Sequence, residues 1–153
     1  MDIEAVIHGL DALFANRQSE QVEDYLSKYL ERALKEGDVG SAITIINELI
    51  GYYRDTSQYD KADAYCQKLL PFMERAGLKD TIHYGTSCLN IANAYRAAGR
   101  LELSLKYYQK VREIYQNVLE PGDFRWASLN NNLSLLYQEM ERYEDACNAL
   151  QEA

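Results

Sequence analysis

The stretch "IANAYRAAGRLELSLKYYQKVR", residues Ile91–Arg112, decides the fold. Ile91, Ala92 and Tyr95 fall on one side of a helix, and "AAGR" then interrupts the pattern. Leu101, Ser104, Tyr108 and Val111 resume it, with Tyr115 and Val118 carrying the same small-and-apolar stripe onward. Steps of three and four are the period of a helix, not the alternation of a strand. The segment reads as helix, short turn, helix. No stretch alternates with period two over a useful length, and proline occurs only at Pro71 and Pro121. The chain reads as all-α.

The same unit occurs three times. "LIGYYRDTSQYDKADAYCQKLL" (Leu49–Leu70), the opening stretch, and "LSLLYQEMERYEDACNALQEA" (Leu133–Ala153) lie over one another. Tyr53, Tyr95 and Tyr137 correspond at a spacing of 42 residues. So do Tyr59, Leu101 and Tyr143, and likewise Ala62, Ser104 and Ala146. The turns "DTSQ", "AAGR" and "EMER" divide each unit into two helices.

Composition narrows the class. A chain of 153 residues with 47% hydrophobic and 26% charged residues is long enough to bury a real core and too apolar to be disordered. No apolar run approaches the roughly 18 residues of a membrane span, and acidic residues in "MDIEAVIHGL" are wrong for a secretory signal. Cys66, Cys88 and Cys147 form no CxxC and cannot all pair, so reduced, mostly packed thiols and a cytoplasmic location are expected. The net charge of -8, with basic residues dispersed among acidic ones as in "YLERALKEGD", disfavours nucleic acid. His8 and His83 lack a second ligand at i, i+4, so neither a metal nor another cofactor is expected. With no phosphate loop, acid pair or triad, the chain is not read as an enzyme.

The repeated pattern resembles the tetratricopeptide repeat, a 34-residue helix pair. Its consensus carries a large residue at position 4, Leu at 7 and a small residue at 8. Tyr at 11, Gly at 15, an aromatic at 17, Ala at 20, a large residue at 24 and Ala at 27 follow. Counted from Gly85, the middle unit supplies Cys88, Ile91, Ala92, Tyr95, Gly99, Leu101, Ser104, Tyr108 and Val111. The third supplies Asn130, Leu133, Ser134, Tyr137, Glu141, Tyr143, Ala146, Leu150 and Ala153, and the first Ile46, Leu49, Ile50, Tyr53, Ser57, Tyr59, Ala62, Cys66 and Leu69. Position 15 keeps glycine only once, and position 8 is a bulky Ile50 in the first unit.

The 42-residue period and the connector "IYQNVLEPGDFRWASLNNNLSLLY" are similar to the kinesin light chain type of repeat. The resemblance covers Ile43–Ala153. Residues 1–38 match loosely, "QVEDYLSKYLERA" lying under "KADAYCQKLLPFM" at an offset of 40, which implies a degenerate leading helix pair near Ile3–Asn16 and Glu20–Lys35. Repeats are expected at 39–80, 81–122 and 123–153. The implied fold is a solenoid of antiparallel helix pairs, a right-handed α-α superhelix. Because the chain stops inside a second helix, it is expected to be part of a longer array, or to form a homo-oligomer through exposed solenoid ends.

Three successive asparagines, Asn130, Asn131 and Asn132, stand out in a helix. Each costs roughly 0.6 kcal/mol relative to Ala at an interior helical position. The resemblance implies that positions 2, 5, 6, 9, 12 and 13 line a concave groove. Asn47, Asn90, Asn93, Asn131 and Asn132 then share that surface with Leu135 and Gln138, while Asn130 at position 4 faces the packing within its repeat. A carboxamide donates and accepts at once, so a ladder of them can hold an extended peptide backbone. Arg54 and Arg96 would anchor an acidic side chain or a terminal carboxylate. The lysines of a chaperone-type carboxylate clamp are replaced by Asn47 and Ser128, which disfavours that ligand. The expected function is therefore non-catalytic binding of a protein or peptide. Two alternatives remain: a self-associating scaffold with an idle groove, and a sensor domain that regulates a longer protein.

Overall fold

A computed structural model describes residues 1–152; Ala153, at position 27 of the third repeat, lies outside the described residues. The described residues form helices and no strand. They are α1 (Ile3–Ala15), α2 (Val22–Glu36), α3 (Val39–Asp55), α4 (Tyr59–Arg75), α5 (Ile82–Ala97), α6 (Leu101–Val118), α7 (Phe124–Glu139) and α8 (Tyr143–Glu152). A single 3-10 turn at Ser19–Gln21 leads into α2, so that helix begins later than the Glu20 expected from the sequence. The helices fall into two compact units, Met1–Tyr65 and Cys66–Ala153, with the boundary inside α4.

In the first unit α2 packs against both α1 and α3. The apolar stripes meet in a core of Val6, Leu10, Val22, Leu26, Ile45 and Leu49, and burying each such side chain contributes about 1.5–3 kcal/mol. Asp2 and Asp38 cap α1 and α3, each accepting a backbone N–H of the first turn. The Tyr25 hydroxyl crosses from α2 to donate to Val6 O of α1 at 2.8 Å. A Cβ on Gly9 would collide with that hydroxyl, so the absence of a side chain at Gly9 permits the close approach of the two helices.

In the second unit α5 pairs with α6 and α7 with α8. The reason for a small residue at positions 8 and 20 is visible here. Ser104 of α6 is fully buried, and its hydroxyl donates to Ala92 O of α5 at 2.7 Å. A larger residue at either position would separate the pair. Trp126 packs edge-on against Tyr115, ring centroids 5.6 Å apart, and its indole donates to Glu120 O, so it serves the joint between α6 and α7.

The turn within each hairpin repeats with the sequence period. Ser57, Gly99 and Glu141, all at position 15, have φ of 57°, 76° and 59°. The next residue then donates back to the tyrosine at position 11 in every case: Gln58 to Tyr53 O at 2.8 Å, Arg100 to Tyr95 O at 2.9 Å, Arg142 to Tyr137 O at 2.7 Å. This left-handed helix ending explains the glycine of the consensus, and only Gly99 supplies it. Arg17, with φ 55° and a Gln18-to-Leu13 bond of 2.8 Å, makes the same turn in the leading pair.

Two residues at core positions of the pattern are not buried. Tyr143 and Leu150 of α8 are 62% and 51% exposed, because α8 packs chiefly on α7 and no further helix lies over its other side among the described residues.

Candidate functional site

Two helix starts fix the second unit's candidate face. Thr81 caps α5 by accepting from Tyr84 N–H at 3.2 Å, and Asp123 caps α7 by accepting from Arg125 N–H at 2.9 Å. With 100° per residue, Asn90, Asn93 and Arg96 descend one side of α5, while Asn131, Leu135 and Gln138 form a stripe on α7. The sides opposite carry the buried Ile91, Tyr95, Leu133 and Leu136.

The two stripes are joined. Arg96 Nη1 of α5 donates to Glu139 Oε1 of α7 at 3.2 Å, with the two side chains 22% and 44% exposed. From beneath, the Tyr108 hydroxyl of α6 donates to Asn93 Oδ1. Burial pushes the Tyr108 hydroxyl above its ordinary pKa, while the charge and hydrogen bond of Arg96 pull the other way. Arg96 Nε is buried and has no hydrogen-bond partner among the described residues. The guanidinium is thus only partly satisfied by its own chain.

The predicted asparagines meet different fates. Asn131 is exposed and makes no side-chain hydrogen bond among the described residues. Asn132, 100° around the helix, lies at the flank and donates back to Ser128 O at 3.0 Å. Asn130 is buried and donates to Glu152 O of α8 at 3.1 Å, the packing role its position implied. Asn90 and Asn93 are half-buried on α5. Leu135 is 45% exposed between Asn131 and Gln138, and Gln138 donates to Ser134 Oγ at 3.2 Å.

Asn47 and Arg54 belong to the first unit. Asn47 donates to Ile43 O one turn back at 3.1 Å, and Arg54 Nε pairs with Asp55 Oδ1 at 3.0 Å. Sequence reasoning treated Tyr108 as core filling only and missed its hydroxyl. A signal was present: position 24 is tyrosine only in the repeat whose position 9 is Asn93, whereas Cys66 accompanies Gly51 and Leu150 accompanies Leu135.

Other chemistry has little support. Among the described residues no group of three or more His, Cys, Asp or Glu could hold a metal ion, and no helix is long and apolar enough to cross a membrane. Cys88 is buried, and burial pushes its thiol up to about 12, so it is protonated and inert at neutral pH.

Helix pairs repeated every 42 residues, held close by small side chains, define a helical-hairpin repeat protein. The tetratricopeptide repeat family model matches residues 41–117 and again 81–153, and the chain belongs to that family. Solved structures share the fold. BtubC (BKLC) from P. vanneervenii is 22% identical with a TM-score of 0.82, the match covering 99% of this chain and 63% of that one. A candidate kinesin light chain from Podosopora anserina with nearly identical TPR-like repeats is 16% identical with a TM-score of 0.84, covering 99% and 75%. The chain therefore spans less than two thirds of the length of BtubC. No curated protein sequence matches it significantly. These likenesses establish the all-α solenoid, a right-handed superhelix of antiparallel helix pairs. Tetratricopeptide repeats generally mediate protein–protein interaction and are typically non-catalytic.

Proposed function

We propose that the chain is a cytoplasmic, non-catalytic module that holds an extended peptide segment on its first helices. In the second unit Asn90, Asn93, Asn131 and Asn132 bond the peptide backbone, Leu135 meets an apolar side chain, and Gln138 and Arg96 add polar contacts. Asn47 and Arg54 play the same parts in the first unit.

One observation carries this reading: the α5 and α7 stripes are bridged by Arg96 and Glu139 into one polar face with an exposed leucine set in it. An exposed pair of this kind is worth about 0–1 kcal/mol, so a ligand carboxylate can replace Glu139 at low cost.

The test is affinity capture from native extract with wild type and with the quadruple Asn90, Asn93, Asn131, Asn132→Ala protein, after both show the same helical circular dichroism. Partners held by wild type and lost by the variant support the face. Identical captures sink it.

A second reading rests on the exposed Tyr143 and Leu150 of α8, which suit self-association. Mass in solution that rises with protein concentration, and that Leu150→Gln abolishes, would favour this scaffold reading.

A further inference from the structure

The first unit holds a cleft of about 200 Å³ that the α5–α7 reading does not use. Leu10 and Phe14 of α1 and Tyr52 of α3 form an apolar wall, and Glu48, Arg54 and Asp55 of α3 form a polar one. Phe14 is 48% exposed, leaving apolar surface uncovered at the cleft. Arg54 is turned toward Asp55, whereas Glu48 has neither a hydrogen bond nor an ion pair among the described residues. Glu48 is exposed at the mouth of the cleft, and the part of its carboxyl that is covered, with the negative charge of Asp11 second, holds it above its ordinary pKa. A carboxylate so placed is stabilised by any cation brought to it.

The surrounding charge has the same sign. Residues 1–65 carry six basic and thirteen acidic side chains, a net of -7 out of the chain's -8. The cleft is smaller than the roughly 300–1,000 Å³ that encloses a whole small ligand, so it suits one side chain of a larger partner. We propose that it seats a lysine or arginine side chain of a protein partner, the aliphatic stem along Leu10 and Phe14 and the cationic head at Glu48. Such side chains combine an apolar stem with a charged tip, matching the two walls. With Arg54 occupied by Asp55, the acid left to meet an incoming charge is Glu48, which favours a cationic head over an acidic one. Arg54 is shared with the proposed peptide face, but Glu48, Leu10 and Phe14 are not, so variants of Glu48 and Phe14 test the cleft without touching the α5–α7 residues.

The probe is acetyl-Ala-Leu-Lys-Leu-Ala-amide, compared with counterparts carrying norleucine or glutamate in place of lysine. Each is titrated into the full ¹⁵N-labelled chain while the amides of Phe14, Gly51 and Tyr52 are followed. The lysine peptide should shift these resonances saturably and bind about tenfold tighter than either counterpart, the scale of one hydrogen bond between charged groups. Glu48→Gln should remove that preference, and Phe14→Gln should weaken the lysine and norleucine peptides alike. Asp60→Asn, an exposed acid that does not line the cleft, should change nothing. Equal affinity for the three peptides, absence of saturable shifts, or an Asp60→Asn effect equal to that of Glu48→Gln would overturn the proposal. The last result would mean diffuse attraction to an acidic surface.

Discussion

Replacing Glu141 and Ser57 by glycine should make the protein more stable, although both changes delete a side chain. Each residue sits at position 15 with φ near +60°, where an L-residue costs roughly 1–2 kcal/mol relative to its ordinary conformations. Glycine escapes that cost but loses about 0.5–1 kcal/mol more backbone freedom on folding. The balance is a gain of about 0.5–1 kcal/mol per site. Glu141 is exposed and has no side-chain hydrogen bond, so it should show the full gain. Ser57 accepts a long 3.4 Å bond from the Tyr59 hydroxyl, so its gain should be slightly smaller. The sites lie in separate units and should add, giving about 1–2 kcal/mol together and raising Tm by roughly 2–8 °C. Gly99→Ala supplies the reverse experiment. Its added Cβ would meet no atom within 4 Å, so any loss reports backbone conformation alone, about 1 kcal/mol. Thermal and urea melts followed by circular dichroism measure all three. If Glu141→Gly leaves the melt unchanged or lowers it, and Gly99→Ala is silent, the left-handed turn is not a site of strain.

Other consequences are equally direct. Asn130→Ala should cost about 1 kcal/mol by removing the bond to Glu152 O, whereas Asn131→Ala should be neutral or stabilising by up to about 0.6 kcal/mol; paired urea titrations compare them. Ser104→Ala should cost about 1 kcal/mol, and Ser104→Leu several times that, since the leucine must separate α5 from α6; a loss no greater for leucine would contradict the close approach. The Asp123 carboxyl is held down to about 2 by its hydrogen bonds to Arg125 and the Arg125 charge. Its folded pKa lies below its unfolded value, so its contribution to stability is present above about pH 4 and is lost as pH falls toward 2. NMR titration should find its midpoint near 2, and Arg125→Ala should raise it.

The helices were legible because the apolar stripes of α5 to α7 have a helical period and the turns between them repeat at 42 residues. The interior was legible at positions 8 and 20, where Ala92 and Ser104 announce a close approach before any distance is known. What escaped depended on neighbours distant in sequence. Tyr143 and Leu150 obey the repeat pattern, yet burial requires a helix on the far side of α8. The α3 wall of the cleft was legible, since Glu48, Arg54 and Asp55 fall at groove positions 6, 12 and 13, but its α1 wall of Leu10 and Phe14 escaped because the leading pair follows the pattern at a different offset. Its groove residues could not be aligned one by one. Tyr108 was legible as bulk and not as a donor, since a hydroxyl's partner depends on where a second helix places its carbonyl.

The three adjacent asparagines show why residue type alone could not assign a role. Successive positions are turned by 100°, so one points into the repeat, one outward and one along the flank. Asn130 offsets its poor helix propensity with a buried bond, and Asn132 partly does so with a bond to its own helix. Asn131 has no such compensation and costs about 0.6 kcal/mol relative to Ala. Under the proposed function, this uncompensated residue is what the helix offers to a peptide backbone. It lies beside the exposed Leu135 on α7, the helix whose Glu139 is bridged to Arg96 of α5. The uncompensated Asn131, the uncovered Leu135 and the Arg96–Glu139 pair thus occur on one face, and under the proposed function a peptide backbone with an apolar and an acidic side chain would engage all three.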